Sequence, residues 1–317
     1  MSPFSQAKAD TVASLGEERL IEFIRRWLGR VSPPAPLGIG DDCAILPAST
    51  RAQAITVDPV IYGRHFDDSI PPRAVGAKLL KRNLSDLAAM GASPRAAVLA
   101  LTLDPRTRLD WLENFYRGLA ACARTHDVAI VGGDVAQADG VLAASLTLVG
   151  EATGKRMLTR AGARFGDTIY VTGTLGGSLL GHHHRFTPRL AEGTWLAAQS
   201  QVRAMMDVSD GLAKDLHALT PPRTQPALFA EQIPISAAAR QHSAKTGRTP
   251  LAHALGDGED YELVFALNRR ADANTFVRRW QRRFRTPLSC LGCFVPLGAL
   301  PANAIDLSEH CGYEHLR

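Results

Sequence analysis

Cysteine is scarce in this chain of 317 residues. The five cysteines are scattered, at Cys43, Cys122, Cys290, Cys293 and Cys311. An odd number of thiols spread over a long chain does not suit a disulfide framework, so we expect reduced thiols. Cys290 and Cys293 have the C-x-x-C spacing, but a zinc site of that kind needs a second pair. Because both lie in an apolar, strand-like stretch, we interpret them as strand residues.

Long apolar runs are missing as well. No stretch approaches the roughly 18 uninterrupted apolar residues of a membrane span. The N-terminal segment MSPFSQAKAD has neither the apolar core nor the cleavage site of a secretory signal. A composition of 45% hydrophobic and 21% charged residues is typical of a globular protein. We therefore expect a soluble, cytoplasmic protein with no membrane partner.

The excess of positive charge is small and local. The formal net charge is +5, and much of the excess lies between Arg278 and Arg285. There Phe276, Trp280 and Phe284 repeat at helical spacing, so the arginines are interpreted as the solvated face of an amphipathic helix. Other basic residues lack the interleaved aromatic residues that stack on bases. We expect no nucleic-acid partner.

Helix and strand patterns alternate along the chain and predict an α/β protein of the α+β type. Ser14 and Glu17 form a capping box before a helix that ends near Gly29. Short strands are expected at 43–46 and 54–57, and Pro72 opens a second helix. The length exceeds what one core usually organises, and the pattern restarts near residue 149. The sequence therefore predicts two α/β domains, 1–148 and 149–317.

The unusual feature is where the aspartates fall. Most follow an apolar run or a pair of glycines, and the set comprises Asp41, Asp42, Asp58, Asp86, Asp134, Asp207 and Asp210. A single aspartate in such a place commonly serves a turn or a helix cap. Several together, beside glycines that let phosphates approach the backbone, favour convergence on a hard cation. Oxygen ligands without histidine or thiolate indicate Mg²⁺ with a nucleotide.

Conventional phosphate-binding loops are absent. The segment Gly150–Lys155 has one residue too few between its glycines for a P-loop, and Gly38-Ile39-Gly40 fails as a dinucleotide fingerprint because Cys43 takes the third position. Metal ions would then neutralise most of the phosphate charge. The run His182–His184 is interpreted as a solvated loop, because consecutive side chains point in different directions.

Several segments, in this order, resemble the signature of the thiamine-monophosphate kinase family: GIGDDCAIL, VDPVIYGRHF, NLSDLAAMGASP, VGGD, LTRAGARFGD, MMDVSDGLAKDL and GDGEDYELVF. The family shares a superfamily with aminoimidazole ribonucleotide synthetase, selenophosphate synthetase and a hydrogenase maturation protein. The resemblance implies a homodimer built through the N-terminal sheets and an active site between two α/β domains. It also implies direct transfer of the ATP γ-phosphoryl group to thiamine monophosphate.

The resemblance also implies roles for single residues. The magnesium ligands would be Asp41, Thr56, Asp58, Asp86, Asp134, Asp207 and Asp210. Contacts to ATP would come from Gly133, Asp134, Arg160 and Ser209. His65 and Glu259 would face the thiamine phosphate. The acceptor oxygen is already ionised near neutral pH, so no general base is expected and none is assigned.

The chain departs from the family pattern at a few positions. Val57 stands where a threonine or serine usually precedes the aspartate, Pro59 follows that aspartate, and His310 takes the place of an aromatic residue expected to stack on thiamine. Two alternatives therefore stay open. One is another ATP-dependent enzyme of the superfamily, acting on an amide oxygen or a selenide. The other is a nucleotide-binding homologue without catalysis, which would have little need for so many close carboxylates.

Overall fold

The computed structural model describes residues 2–40 and 43–314. The chain divides into two compact units. The N-unit comprises Met1–Leu87 and Ser93–Ala152, and the C-unit comprises Ala88–Ala92 and Thr153–Arg317. Each contains a sheet and helices, which confirms the predicted α/β class. The domain boundary predicted after residue 148 stays a prediction. The division into compact units falls after Ala152.

A four-stranded sheet organises the N-unit, in the order β1-β4-β2-β3. The strands are β1 (Gln53–Ile61), β2 (Ala92–Leu103), β3 (Ala129–Gln137) and β4 (Leu142–Ala152), and the helices are α1 (Glu17–Leu28), α2 (Pro72–Met90) and α3 (Leu109–Thr125). Strands β1 and β4 pair antiparallel, whereas β2 and β3 pair parallel. The two edge strands, β1 and β3, carry several of the predicted site residues.

The first helix follows its predicted apolar stripe but not its predicted cap. Leu20, Ile24 and Leu28 are buried in α1. The capping box is wrong, because the Ser14 hydroxyl donates to the Thr11 carbonyl oxygen in a short 3-10 turn, and the helix begins only at Glu17. The strand expected at 43–46 is also wrong, since those residues adopt no regular structure.

Helix α2 has the predicted start, core face and end. Pro72 opens it, and Leu80, Leu84 and Leu87 are buried. Gly91 ends it with φ +67°, a left-handed conformation that side chains rarely adopt. Polar residues occupy the opposite face of the helix, and some of them belong to the candidate site.

A five-stranded sheet organises the C-unit, in the order β6-β8-β5-β9-β7. The strands are β5 (Thr168–Thr172), β6 (Val202–Asp207), β7 (Thr224–Leu228), β8 (Leu263–Leu267) and β9 (Leu288–Pro296). The helices are α4 (His182–Arg185), α5 (Leu190–Ala197), α6 (Leu212–Leu219), α7 (Ala237–Thr246), α8 (Pro250–Gly256) and α9 (Ala273–Arg283). All of the paired strands run antiparallel, and apolar clusters cover both faces.

Three local predictions can be checked in the C-unit. Helix α9 buries Phe276 and Trp280 and leaves its arginines exposed, as predicted. Cys290 and Cys293 lie in β9 as free thiols, also as predicted. The solvated loop at 182–184 is wrong: the segment is helical and His183 is buried.

Within residues 2–40 and 43–314, no helix combines the length and apolar character needed to cross a bilayer.

Candidate active site

Two predicted ligands of the N-unit lie side by side on β1. Thr56 and Asp58 are two residues apart, so their side chains emerge on the same face of the strand. The Thr56 hydroxyl donates to the Asp86 carboxylate of α2. One helical turn before Asp86, Arg82 places Nη2 3.1 Å from Asp58 Oδ1. We call these four residues the helix–strand cluster.

Arg82 is a member of the cluster that the sequence analysis missed. Its Nη1 also donates to the Pro59 carbonyl oxygen at 2.7 Å, so the guanidinium bridges a carboxylate and a backbone carbonyl. Residues four apart on a helix share a face, which was the available signal, since Asp86 follows Arg82 by four. The strand partner could not be inferred from that spacing.

The departure at Val57 falls outside the helix–strand cluster. Its side chain is 61% exposed, on the same outer face as Ile55, which is 73% exposed. A threonine at this position would emerge on the face opposite Thr56 and Asp58. The side chains of the cluster therefore do not depend on which residue occupies position 57.

Gly133 and Asp134 lie on β3, at the other edge of the sheet. They pair with Leu99 and Ala100 of β2. A β-carbon added to Gly133 would overlap the Leu99 carbonyl oxygen, so this position requires glycine. Three strand spacings separate β3 from β1, roughly 14 Å, and the sheet therefore does not bring Asp134 against Asp58.

A cavity of about 560 Å³ adjoins this edge of the N-unit. Gly132, Gly133 and Asp134 form part of its wall, and Tyr116 and Ile39 form another part. The strand expected at 54–57 is longer than predicted and runs to Ile61, so Asp58 lies within β1 and not at its end. Asp134 lies within β3. The predicted ligand Asp41, with Asp42, lies outside the described residues.

His65 is fixed by backbone contacts in the turn after β1. Its Nδ1 accepts a hydrogen bond from the Ile61 N–H at 3.1 Å, and its own N–H donates to the Ile61 carbonyl oxygen at 2.9 Å. The fully buried Lys78 donates to the His65 carbonyl oxygen at 2.9 Å. The turn thus positions the ring.

Three predicted residues of the C-unit, Asp207, Ser209 and Asp210, lie between β6 and α6 in a turn that we call the acidic turn (residues 207–211). Asp207 ends β6 and is buried. The N–H groups of Ser209 and Asp210 both donate to Oδ2 of Asp215, at 2.9 and 3.0 Å. Gly211, with φ +107°, leads into α6.

Asp215 is a second residue that the sequence analysis missed, although it belongs to the DVSDGLAKDL segment. Burial raises the pKa of its carboxyl to about 6, against the opposing effect of its two N–H bonds and of the Arg160 charge. Arg160 itself is exposed, beside β6. The structure thus brings Arg160, Ser209 and Asp210 to one end of β6.

A lysine attaches the C-terminal segment to the acidic turn. Lys214 Nζ lies 2.7 Å from Asp210 Oδ2 and donates to the Tyr313 carbonyl oxygen at 2.6 Å. The Tyr313 N–H donates to the Asp210 carbonyl oxygen at 2.8 Å. Tyr313 and His310 line one groove of about 550 Å³ in the C-unit, so an aromatic ring adjoins the position where His310 replaces the expected one.

Glu259 is held against the acidic turn by its backbone. Its N–H donates to the Ser209 carbonyl oxygen at 2.7 Å, and the Tyr261 hydroxyl donates to Glu259 Oε1 at 3.2 Å. Glu259 and Tyr261 both have φ +52°, which costs on the order of 1–3 kcal/mol for each residue that is not glycine. Such strain persists only where surrounding contacts enforce it, as expected of a binding site.

Asp260, between these two residues, faces inward. It is fully buried and accepts a hydrogen bond from the Gly176 N–H at 2.8 Å. Burial holds its pKa well above the usual range. The His182 ring nitrogen Nε2 lies 3.0 Å from the Asp260 carbonyl oxygen, which explains why the histidine run is not a solvated loop.

The donor set suits a hard cation. The helix–strand cluster and the acidic turn offer carboxylate and hydroxyl oxygens, the ligands that Mg²⁺ prefers. Both places already pair a carboxylate with a cationic side chain: Asp58 pairs with Arg82, and Asp210 pairs with Lys214. The residues present therefore fit divalent cations.

Another group of potential ligands, His242, His253 and Asp257, has donor atoms within 4.8 Å of one another. Both ring nitrogens of His253 already have partners, at 2.7 Å from the Thr246 hydroxyl and 2.8 Å from Asp257. The two imidazole rings stack with 18° between their planes, so their lone pairs run nearly parallel. This geometry favours a hydrogen-bonded support over a metal centre.

Comparison with known proteins identifies a matching family model and related proteins. The family "AIRS: AIR synthase related protein, N-terminal domain" matches residues 40–152. A thiamine-monophosphate kinase of Rhodopirellula baltica is 40% identical over 261 residues, which are 79% of this chain and 82% of that relative.

Two solved structures are also similar. Thiamine-monophosphate kinase from Stenotrophomonas maltophilia K279a has a TM-score of 0.73 and 34% identity, covering 87% of this chain and 93% of its own. AaThiL complexed with AMPPCP and TMP has a TM-score of 0.72 and 28% identity, covering 96% and 98%. This chain belongs to the thiamine-monophosphate kinase family.

Proposed function

We propose that this protein transfers the γ-phosphoryl group of ATP to thiamine monophosphate in a Mg²⁺-dependent reaction that forms thiamine diphosphate. The observation that carries the proposal is the acidic turn, whose two N–H groups are fixed by Asp215 while Glu259 is attached to its Ser209 carbonyl. The family relationship supports the same activity. We place the reaction in the cytoplasm.

The proposed magnesium ligands are Asp41, Thr56, Asp58, Asp86, Asp134, Asp207 and Asp210. When bound, magnesium neutralises phosphate charge and aligns the transferred group. Ser209 and Arg160 would hold phosphate oxygens through a hydroxyl and a guanidinium, and the bare Gly133 would let a phosphate approach the backbone.

The acceptor side needs positioning more than proton transfer. A phosphate monoester is largely ionised near neutral pH, so its oxygen can attack without a general base. We assign to His65 and Glu259 the orientation of that acceptor. The His65 ring accepts a hydrogen bond from the Ile61 N–H, and the Glu259 carboxylate accepts one from the Tyr261 hydroxyl, so less side-chain entropy remains to be lost on binding.

We also propose a homodimer formed through the sheet of the N-unit. Strand β1 is an edge strand, and its outer face exposes Ile55, Val57 and Ile61. A row of exposed apolar side chains on an edge strand is a surface that proteins usually cover. In analytical ultracentrifugation we expect a dimer, and Ile55→Glu should shift it towards monomer; a monomeric wild-type protein would overturn this proposal.

The activity is tested by incubating the purified protein with MgATP and thiamine monophosphate and separating the products by chromatography. We expect thiamine diphosphate and ADP in equal amounts, and neither product when EDTA is present. Binding of MgATP without thiamine diphosphate would overturn the assignment. Turnover of another acceptor in parallel would then favour a different enzyme of the superfamily, and no turnover at all would favour a nucleotide-binding homologue.

A further inference from the structure

Arg82 is built into the helix–strand cluster and is not a surface arginine. Its side chain is only 13% exposed, and that of its partner Asp58 is 25% exposed. Nη2 lies 3.1 Å from the carboxylate, and Nη1 donates to the adjacent Pro59 carbonyl oxygen at 2.7 Å. The guanidinium is therefore fixed from two directions, by a side chain and by the backbone of the same strand.

The pairing joins elements that are distant in sequence. Arg82 and Asp86 lie one turn apart on α2, and they contact Asp58 and Thr56, which lie two residues apart on β1. One turn of α2 thus matches two residues of β1. Arg82 faces Asp58, and Asp86 faces Thr56. By contrast, Arg117 pairs with Glu113 within α3 and is 52% exposed, which is typical of a surface ion pair.

A fixed positive charge at this distance changes what Asp58 can bind. We propose that Arg82 is an internal cation that competes with divalent cations for the Asp58 carboxylate and so weakens metal binding by the N-unit. This inference rests on the proposed function, in which Asp58 is a magnesium ligand. A divalent cation at Asp58 meets the repulsion of the guanidinium, or must displace it from a carboxylate that it already neutralises.

The same charge gives Arg82 a second effect. The guanidinium offsets the repulsion between the Asp58 and Asp86 carboxylates and so stabilises the metal-free cluster. Removing the charge should therefore lower the stability of the metal-free protein and raise its affinity for metal. A purely structural arginine would lower stability without tightening metal binding, so the two effects together identify the role.

The experiment is a calorimetric titration of the full-length protein with MgCl₂, without ATP or thiamine monophosphate. Arg82→Gln and Arg82→Met both remove the charge, so the second serves if the first does not fold. Arg82→Lys keeps the charge, and Arg117→Gln makes the same charge change on the surface of the same unit. Circular dichroism establishes that each variant is folded.

We expect the two neutral variants to bind Mg²⁺ about tenfold more tightly than wild type, whereas Arg82→Lys and Arg117→Gln stay within about twofold of it. Equal or weaker binding by the neutral variants, with clear binding by wild type, would overturn the inference and leave the proposed function standing. No Mg²⁺ binding by wild type or by the neutral variants would also overturn the inference, because removal of the charge would then tighten nothing; the proposed function is decided separately by the product assay with MgATP. A gain of similar size in Arg117→Gln would reduce the effect to net charge and overturn the specific role of Arg82.

Discussion

The helix–strand cluster of the N-unit and the acidic turn of the C-unit hold carboxylates by different means. In the cluster, regular elements present side chains at fixed spacing, and the contacts run from side chain to side chain. In the acidic turn, backbone N–H groups, a buried acid and neighbouring left-handed residues set the shape. In the first arrangement the spacing within each element is regular, whereas the second depends on the path of a loop backbone.

This difference predicts different responses to substitution. A change in the helix–strand cluster removes one contact between elements that the core holds in any case. A change in the acidic turn alters a loop whose backbone geometry depends on a few hydrogen bonds, and the affected N–H groups lie beside the proposed phosphate contacts. We therefore expect the largest functional losses in the turn and the smallest effects on stability in the cluster.

The largest effect is expected for Asp210→Asn. The substitution keeps the size of the side chain but removes a charge from a proposed magnesium ligand, so kcat should fall by several orders of magnitude while the fold persists. Steady-state kinetics with circular dichroism would measure both. Asp139→Asn, at an exposed position in the N-unit, is the control; near wild-type turnover by folded Asp210→Asn would remove this residue from the site.

The buried acid below the turn should give a pH-dependent effect. The folded protein holds a proton on Asp215 up to about pH 6, whereas the unfolded chain releases it near 3.8, so this group contributes stability below pH 4 that is lost as the pH rises through 6. Asp215→Asn is neutral throughout and still accepts hydrogen bonds. Without metal, its unfolding free energy should exceed that of wild type by up to about 3 kcal/mol at pH 8.

Urea denaturation in EDTA at several pH values measures this difference. The advantage of Asp215→Asn should disappear below about pH 4, where the wild-type carboxyl is protonated in both states. A difference that does not change with pH would mean that the variant acts through packing alone. Asp139→Asn again controls for the loss of one carboxylate elsewhere.

An intermediate effect is expected at the two acceptor residues. His65→Ala and Glu259→Gln should each lower kcat/KM for thiamine monophosphate by one to two orders of magnitude, about 1–3 kcal/mol for one polar contact. The affinity for MgATP, measured by equilibrium dialysis, should stay close to wild type. Parallel losses in ATP affinity would place these residues on the nucleotide instead.

The smallest effect on the free energy of unfolding is expected for Thr56→Val in the helix–strand cluster. It removes one hydroxyl hydrogen bond to Asp86 and keeps a β-branched side chain that suits a strand, so the unfolding free energy should fall by about 1 kcal/mol. Thr125→Val removes an exposed hydroxyl bond to the Ala121 carbonyl oxygen and should cost less. A loss of several kcal/mol in Thr56→Val would show that the cluster is as cooperative as the turn.

The elements that the sequence predicted best are those with long periodic patterns. The apolar stripe of α1, the leucine face of α2 and the aromatic face of α9 are all confirmed. The α/β class and the family signature could be predicted for the same reason, because both depend on local order along the chain.

Partners that are distant in sequence could not be predicted. Arg82 contacts Asp58 across 24 positions, and no local pattern links them. No local pattern indicates that His182 contacts the Asp260 backbone, which lies 78 positions away. Asp215 lies within the DVSDGLAKDL segment, but its role depends on two N–H groups that turn back towards it. Tertiary contacts decide each of these cases.

The proposed reaction is a direct transfer of the γ-phosphoryl group from ATP to thiamine monophosphate. The most direct test is a single-turnover reaction of excess enzyme with MgATP labelled with ³²P in the γ-phosphoryl group and thiamine monophosphate, quenched in acid and separated by chromatography. We expect the label to pass from ATP to the terminal phosphoryl group of thiamine diphosphate, with no labelled protein at any time. Label recovered as inorganic phosphate, with thiamine monophosphate unchanged, would show that the protein hydrolyses ATP and does not phosphorylate thiamine monophosphate.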